Sequence, residues 1–393
     1  MGSPTYLTVL QRRHRTYFAA RQPISFAVQP LHGPLHVIGS GPPAFTLTVR
    51  HPHGEKALGA LDQFGIASAY IDGQLDLDGD VLAAMLMRGF FRDIHPQRMV
   101  SRYAAALLSN ARRDEKYISA HYDNDPDFFL TFLDRKYRCY TQGSFVSESD
   151  PLEEAIGRKM ALAGEAIKLK PGDHVLDVGG GWGAFPEYAT SQGAEVTTLT
   201  LSADSADYLR QMAASRNLPM NVVRTHFLTF QSKVKFDAIV NMGTTEHLPR
   251  YGETLRAYSR LLRPNGFIYL DALAMRSKYR ASSFLHRYIY PGSAAPLVLH
   301  SYLRQVASSP FSLVNLNNER RNYQWTCMAW AKRLDAAREE VTRRWGEPLY
   351  RRFRLFLWGS AAGFATGKVQ AYRWTLHLPG ARSAVPAAAD SGR

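Results

Sequence analysis

The stretch Val175-Leu176-Asp177-Val178-Gly179-Gly180-Gly181-Trp182-Gly183 decides the fold. His174 to Val178 reads as a strand, introduced by Lys170-Pro171-Gly172, and the glycines lead from it into a helix. Glycine admits positive φ and lets backbone approach a ligand with no side chain in the way. The helix that follows starts with free N–H groups, and its dipole favours an anionic ligand. Strand, glycine loop and helix in this order mark the ligand crevice at the C-terminal edge of a doubly wound sheet. A tight turn that binds nothing would not need so many glycines.

Working outward, Leu152, Ile156, Met160, Ala163 and Ile167 fall at helical spacing on one face, and Lys170-Pro171-Gly172 is read as the end of that helix. Further strands are expected at Glu195 to Thr200, Asn221 to Thr225, Phe236 to Met242 and Gly266 to Asp271. Amphipathic stretches separate them, the pattern of an α/β chain with a parallel sheet. The first hundred residues mix β-like runs such as Phe45 to Val49 with proline and glycine, then a helical stretch near Val81 to Met87. They read as a small α+β domain over 1–100. A helical link, roughly Pro96 to Ile118, opens a segment over 101–150, and the main domain runs over 151–380. Beyond Ser277 the chain is rich in aromatics and arginine, with last strands at Leu313 to Asn317 and Tyr372 to Leu376. The tail, 381–393, has the composition of a disordered segment.

With 45% hydrophobic and 21% charged residues, the chain of 393 is an ordinary globular protein. Its 48 basic against 34 acidic residues favour anionic partners: nucleic acid, acidic small molecules or lipid headgroups. No RNA-binding aromatic signature, zinc-finger spacing or long lysine run is present, so nucleic acid is not expected. No apolar run approaches the ~20 residues of a membrane-spanning helix, and the start does not read as a cleaved signal. Cys139 and Cys327 alone exclude a disulfide framework and a cysteine-rich metal site. No metal is expected, and the cytoplasm is the default compartment.

The spacing Gly179, Gly181, Ala184 formally satisfies the dinucleotide fingerprint, which also wants an acidic residue about 20 positions on. Here the second strand ends in Thr198-Leu199-Thr200-Leu201-Ser202, without a carboxylate. Asp177-x-Gly179-x-Gly181-x-Gly183 resembles instead the first motif of class I methyltransferases. Neighbouring segments narrow the resemblance. They are His121-Tyr122-Asp123, Asp127-Phe128-Phe129, Phe132-Leu133-Asp134, Leu152-Glu153-Glu154-Ala155 with Lys159, and Phe236 to Val240 leading to Glu246-His247. Tyr288-Ile289-Tyr290-Pro291-Gly292, Tyr323 with Met328-Ala329-Trp330, and Phe64-Gly65 to Gly73 continue it. In this order, over roughly 60–375, the chain resembles the cyclopropane fatty acid synthase and mycolic acid methyltransferase family.

The resemblance implies a class I methyltransferase fold, a Rossmann-like doubly wound sheet with a helical cap and lid, beside the smaller N-terminal domain. It implies S-adenosyl-L-methionine as cofactor and an unsaturated acyl chain, carried on a phospholipid, as substrate. Tyr140 and Thr141 then contact the cofactor's methionine end, Gly179 and Gly181 approach it through backbone, and Asp177 belongs to the same motif. Thr200 falls near the ribose, Ser205 stands where a ribose-binding glutamine is usual, and Leu228 replaces a carboxylate for the adenine amine. Phe227 falls against adenine, or is an ordinary core phenylalanine.

An isolated alkene is a poor nucleophile, so the reaction needs an electrophilic methyl held in line with it. Methyl transfer leaves a carbocation, and a base then removes a proton. Loss from the new methyl closes a cyclopropane; loss from a chain carbon leaves a branch. The resemblance implies bicarbonate as base, held by a cysteine, a glutamate, a histidine and a tyrosine. Glu246 and Tyr323 match, although Tyr323 reads equally as core. Gln142 occupies the cysteine's place, and Leu270 to Met275 contains no histidine, though Asp271 lies close by. Cys139, three residues early, is expected to face elsewhere. Bicarbonate binding in the family manner is therefore not expected, and the outcome tilts toward a methyl or methylene branch. Glu246, Tyr323 and Gln142 are the candidate catalytic residues.

Arg343, Arg344, Arg351, Arg352 and Arg354, interleaved with Trp345, Tyr350, Phe353, Phe356 and Trp358, suit a headgroup-level surface on an anionic membrane. The same pattern fits a solvated arginine face over a core-facing aromatic stripe. The stretch Tyr288 to Pro291 is a second candidate for the acyl entrance. Reversible membrane contact and a homodimer stay open as expectations. So do two other readings: a methyltransferase of a polyene or secondary metabolite, and a catalytically silent lipid-binding relative.

Overall fold

The computed structural model describes residues 4–93, 125–276, 282–289 and 296–380. The helical link at 96–118, His121-Tyr122-Asp123, Tyr290-Pro291-Gly292 and the tail from Ala381 lie outside them. The N-terminal part holds a four-stranded sheet of β1 (Phe26–Gln29), β2 (His36–Ile38), β3 (Phe45–Val49) and β4 (Leu75–Gly79), in the order β2-β1-β3-β4. In β3 the alternation of Phe45, Leu47 and Val49 with two threonines puts the apolar residues inside.

The larger sheet contains β5 (His174–Val178), β6 (Glu195–Thr200), β7 (Met220–Arg224), β8 (Phe236–Met242), β9 (Leu262–Ala274), β10 (Ser312–Asn318) and β11 (Gln370–His377). Their order is β10-β11-β9-β8-β5-β6-β7, with β7 through β9 parallel and β11 antiparallel to β9. The chain winds outward from β5 to β7, then returns to β8 on the other side. The glycine loop after β5 thus lies at the point where strand order reverses, where such sheets bind ligands. Helices cover the faces, and the central strands are buried on both sides, as a parallel sheet requires.

The expected strands of the main domain all form. β9 runs longer than Gly266 to Asp271, because Leu262 already pairs with Phe236 and β11 pairs with it as far as Ala274. The helix Leu152–Ala166 buries the predicted face but ends ahead of Lys170, where Lys168 turns left-handed at φ 56°. Lys170-Pro171-Gly172 is therefore the turn into β5 and not the helix stop. At the far edge β10 is exposed along its whole length and pairs only with β11.

The helix Glu347–Ala365 joins the two parts, with Leu355 packed into the N-terminal core. Arg351 donates to the carbonyls of Tyr70 and Leu75, each at 3.0 Å, and pairs with Asp76 at 2.8 Å. Arg354 donates to Leu77 O at 2.9 Å and Tyr70 Oη at 3.0 Å, and pairs with Asp335. Hydrogen bonds to charged groups contribute roughly 1.5–3 kcal/mol each. These two arginines are therefore a seam between domains, which corrects the reading of them as headgroup ligands. Tyr350 and Phe353 are buried beneath them. Arg343 is exposed, while Arg344 pairs with Asp127 at 2.6 Å. Among the described residues no helix is long and apolar enough to cross a membrane.

Candidate functional site

Gly179, Gly181 and Gly183 hold φ of 99°, 51° and 84°, conformations that side chains rarely adopt. A Cβ on Gly179 would stand 1.9 Å from Thr244 Oγ1, so the loop after β8 closes directly on it. At Gly181 the situation reverses: nothing lies nearer such a Cβ than the Gly179 carbonyl at 3.9 Å, and Gly181 lines a large cavity. That open backbone is where a ligand can approach.

Around the loop Asp177, Ser205 and Thr200 are hydrogen-bonded within the protein, while the Trp182 indole N–H has no partner among the described residues. Thr198 Oγ1 donates to Asp177 at 2.7 Å, and burial pushes the Asp177 carboxyl up to about 7. The Ser205 hydroxyl donates to the Gly181 carbonyl at 2.7 Å and so braces the loop. Thr200 Oγ1, at the end of β6, accepts from Ser202 N at 3.3 Å. Phe227 lines the cavity with its ring 4.8 Å from that of Tyr258, serving wall and core at once. Asp177, Thr200, Ser205, Tyr140 and Thr141 line the cavity as well; Leu228 does not.

Facing the loop, the irregular segment after Arg138 brings Cys139, Tyr140 and Thr141 to the wall. Tyr140 packs its ring 5.3 Å from Trp330 and 5.4 Å from Phe129. Gln142 is buried and is not among the residues that line the cavity, whereas Cys139, expected to face elsewhere, lines it. The position of Cys139 reverses its expectation. Burial raises the Cys139 pKa, so it is a neutral thiol, 3.3 Å from Thr141 Oγ1.

Glu246, in the short turn after β8, is 5% exposed and lines the cavity. Its Oε1 accepts from Leu273 N at 2.7 Å, while Oε2 has no hydrogen-bond partner among the described residues. Burial pushes this carboxyl up to about 8. Behind it lies a buried ion pair, Lys159 Nζ to Asp271 Oδ2 at 2.9 Å, with Lys159 also donating to Thr141 Oγ1. Burial pulls the Lys159 ammonium down, and the Asp271 carboxylate more than offsets it, so Lys159 stays charged. Sequence reasoning quoted both residues without pairing them. The signal was present: Lys159 sits three after Ile156 and four before Ala163, on the apolar face of its helix. Tyr323 lines the cavity with its ring stacked on Phe364 at 4.6 Å.

The cavity measures about 1180 Å³ and is continuous from the glycine loop, past Glu246, to Phe45, Leu47 and Leu77 of the N-terminal sheet. Pockets for single small ligands run about 300–1,000 Å³. This one suits a cofactor together with a long apolar chain. Among the described residues no group of three His, Cys, Asp or Glu could hold a metal ion.

The sheet order and glycine cradle define a class I methyltransferase, the fold whose methyl donor is S-adenosyl-L-methionine, and the open Gly181 backbone fits that cofactor. The chain belongs to the mycolic acid cyclopropane synthetase family, whose profile matches residues 109–374. It is 27% identical over 344 residues to the cyclopropane-fatty-acyl-phospholipid synthase of Escherichia coli, covering 83% of this chain and 86% of that protein. To the sphingolipid C9-methyltransferase of Candida albicans it is 25% identical over 332 residues, covering 78% of this chain. The chain spans 64% of that relative's length. Among solved structures, mycolic acid cyclopropane synthase CmaA1 complexed with SAH and CTAB matches with a TM-score of 0.62 and 26% identity. That match covers 67% of this chain and 98% of the other.

Proposed function

We propose that the protein methylates the double bond of an unsaturated acyl chain carried on a phospholipid, with Glu246 as the proton acceptor, to give a methyl or methylene branch. The observation that carries this reading is the continuous cavity, which leads from the cofactor cradle past the open Oε2 of Glu246 into apolar walls. Held at the glycine cradle, S-adenosyl-L-methionine would supply an electrophilic methyl: the alkene π pair would form the new carbon–carbon bond as the carbon–sulfur bond breaks, its electrons leaving with sulfur as S-adenosylhomocysteine. The aromatic faces of Tyr140 and Trp330 attract the positive charge left on the chain. Glu246 Oε2 would then accept a proton from a neighbouring chain carbon to leave a methyl-branched alkene, or, after a 1,2-hydride shift along the chain, from the new methyl to leave a methylene branch.

Bicarbonate fits these residues poorly. Glu246, pushed up to about 8, is largely the neutral acid near pH 7, the Lys159 ammonium is already paired with Asp271, and Gln142 is not on the cavity wall. Among the described residues no unpaired cation beside Glu246 is left to hold a further anion. Membrane contact is part of the proposal on the net charge of +14, not on Arg351 and Arg354.

Incubation with labelled methyl donor and unsaturated phospholipid, followed by mass spectrometry of the fatty acids, tests the proposal. A labelled branched chain is expected. A cyclopropane product overturns the branch, and label only in a polyene or other metabolite overturns the substrate. Calorimetry with S-adenosyl-L-methionine separates the silent relative, which would give no binding heat.

A further inference from the structure

The cavity wall also carries two cations that no carboxylate among the described residues balances. Arg88, half-buried after the helix Val81–Leu86, donates to Gly359 O at 3.3 Å and forms no ion pair among the described residues. Lys368, in the turn between the helix Glu347–Ala365 and β11, is exposed and has no hydrogen bond among the described residues. Both line the cavity, so the cavity reaches solvent beside Lys368. They are near neighbours: a Cβ on Gly89 would lie 3.7 Å from Lys368 Nζ. Repulsion from Arg88 and Arg21 adds to burial in lowering the Lys368 pKa, and burial lowers that of Arg88. Arg21 lies over the Tyr17 ring at 4.3 Å, also without an acidic partner. Elsewhere arginines that bridge the two domains are paired, Arg351 with Asp76 and Arg354 with Asp335.

Gathering cations without a counter-charge is unfavourable, and an anion bound between them relieves it. An arginine fork beside a lysine point charge matches a phosphate, which offers several acceptor oxygens to both. Apolar side chains, among them Ala84, Met85 and Val369, line the cavity next to these cations in the chain. A ligand here would thus have an anionic end at the mouth and an apolar body inside.

We propose that Arg88 and Lys368, with Arg21 beside them, form a phosphate site at the cavity mouth that holds the headgroup of an acyl lipid whose chain lies in the cavity. This rests on the reading of the cavity as an acyl site but not on any step of methyl transfer.

The test is calorimetry with dihexanoyl-phosphatidylglycerol, dihexanoylglycerol and inorganic phosphate. The full chain is compared with K368Q, with R88Q/K368Q, and with R343Q as a control that removes an exposed charge elsewhere. The intact protein is expected to bind the phosphate-bearing lipid about tenfold more tightly than the neutral one. K368Q should lose part of that ratio, the double variant all of it, and R343Q none. K368Q removes no hydrogen bond within the protein, so its result stands even where the double variant folds poorly. Equal affinity for the two lipids in the intact protein overturns the site, as does an equal loss in R343Q. Inorganic phosphate binding as tightly as the lipid would assign the site to free phosphate and overturn the headgroup. Loss of discrimination with acyl labelling intact sinks this proposal alone. Intact discrimination without labelling sinks only the methyl-transfer reading.

Discussion

Beside the glycine loop Asp177, Thr198, Thr200 and Ser205 all have hydrogen-bond partners, whereas around Glu246 buried oxygens are left open among the described residues. Ser205 holds the Gly181 carbonyl, Thr198 holds Asp177, and Thr200 takes the Ser202 N–H. Around Glu246, its own Oε2 on the cavity wall and, off the wall, Asp271 Oδ1, Gln142 Oε1 and Thr245 Oγ1 have no partner among the described residues. Buried polar atoms are nearly always satisfied, and exceptions mark sites that await a ligand or a proton. The first end is a shape, fixed before anything binds. The second is a store of chemical potential, held in place by Lys159.

The comparison breaks most sharply at Glu246. E246Q keeps the shape and removes the base, so product formation should fall about 10²–10⁴-fold while calorimetry finds S-adenosyl-L-methionine bound as before. Full activity in E246Q would assign the proton to another group. The pH profile sharpens the same point. Activity should rise through about pH 8, where Glu246 becomes a carboxylate. Stability should move the opposite way. The folded pKa lies above the ordinary 4.5, so the native state binds the extra proton, and this contribution fades as pH rises from about 4.5 to about 8. E246Q should flatten both curves, read from initial rates and from denaturant melts.

Lys159 comes next. K159M leaves Asp271 as an uncompensated buried charge and should destabilise the protein by about 3–5 kcal/mol in urea melts. The double variant K159M/D271L removes both charges and should recover much of that loss; a double variant no better than K159M would mean the pair is not the cause. At the shaped end, S205A loses one hydrogen bond to the loop, about 1 kcal/mol, and should weaken cofactor binding about fivefold by calorimetry. A much larger loss would return Ser205 to direct contact with the ribose.

The shaped end was legible in the sequence because its determinants are local. Four glycines after an apolar strand specify a loop whatever surrounds them, and short strand-like runs between turns and amphipathic stretches placed β5, β6 and β8. Glu246 was legible for the same reason, as a carboxylate just past a strand end. What stayed hidden depends on tertiary contact or on backbone without a period. From Arg138 to Val146 the chain has no regular structure, so spacing could not tell whether Cys139 or Gln142 faces the cavity. Arg351 and Arg354 read as surface because their partners, Tyr70 to Leu77, lie some 280 positions away. Lys159 carried a local signal that went unread, a charge three after Ile156 and four before Ala163 on an apolar helix face.

The cavity walls come from two cores, one built on β1 to β4 and the other on the large sheet. A ligand lying against both is released when either core opens, so its binding energy enters the melting of each. At a concentration 100 times its dissociation constant, that is about 2.7 kcal/mol added to whichever core is weaker. Two parts with separate melting behaviour would then unfold in a single cooperative step, and the lipid would act as a rivet across the Arg351 and Arg354 seam.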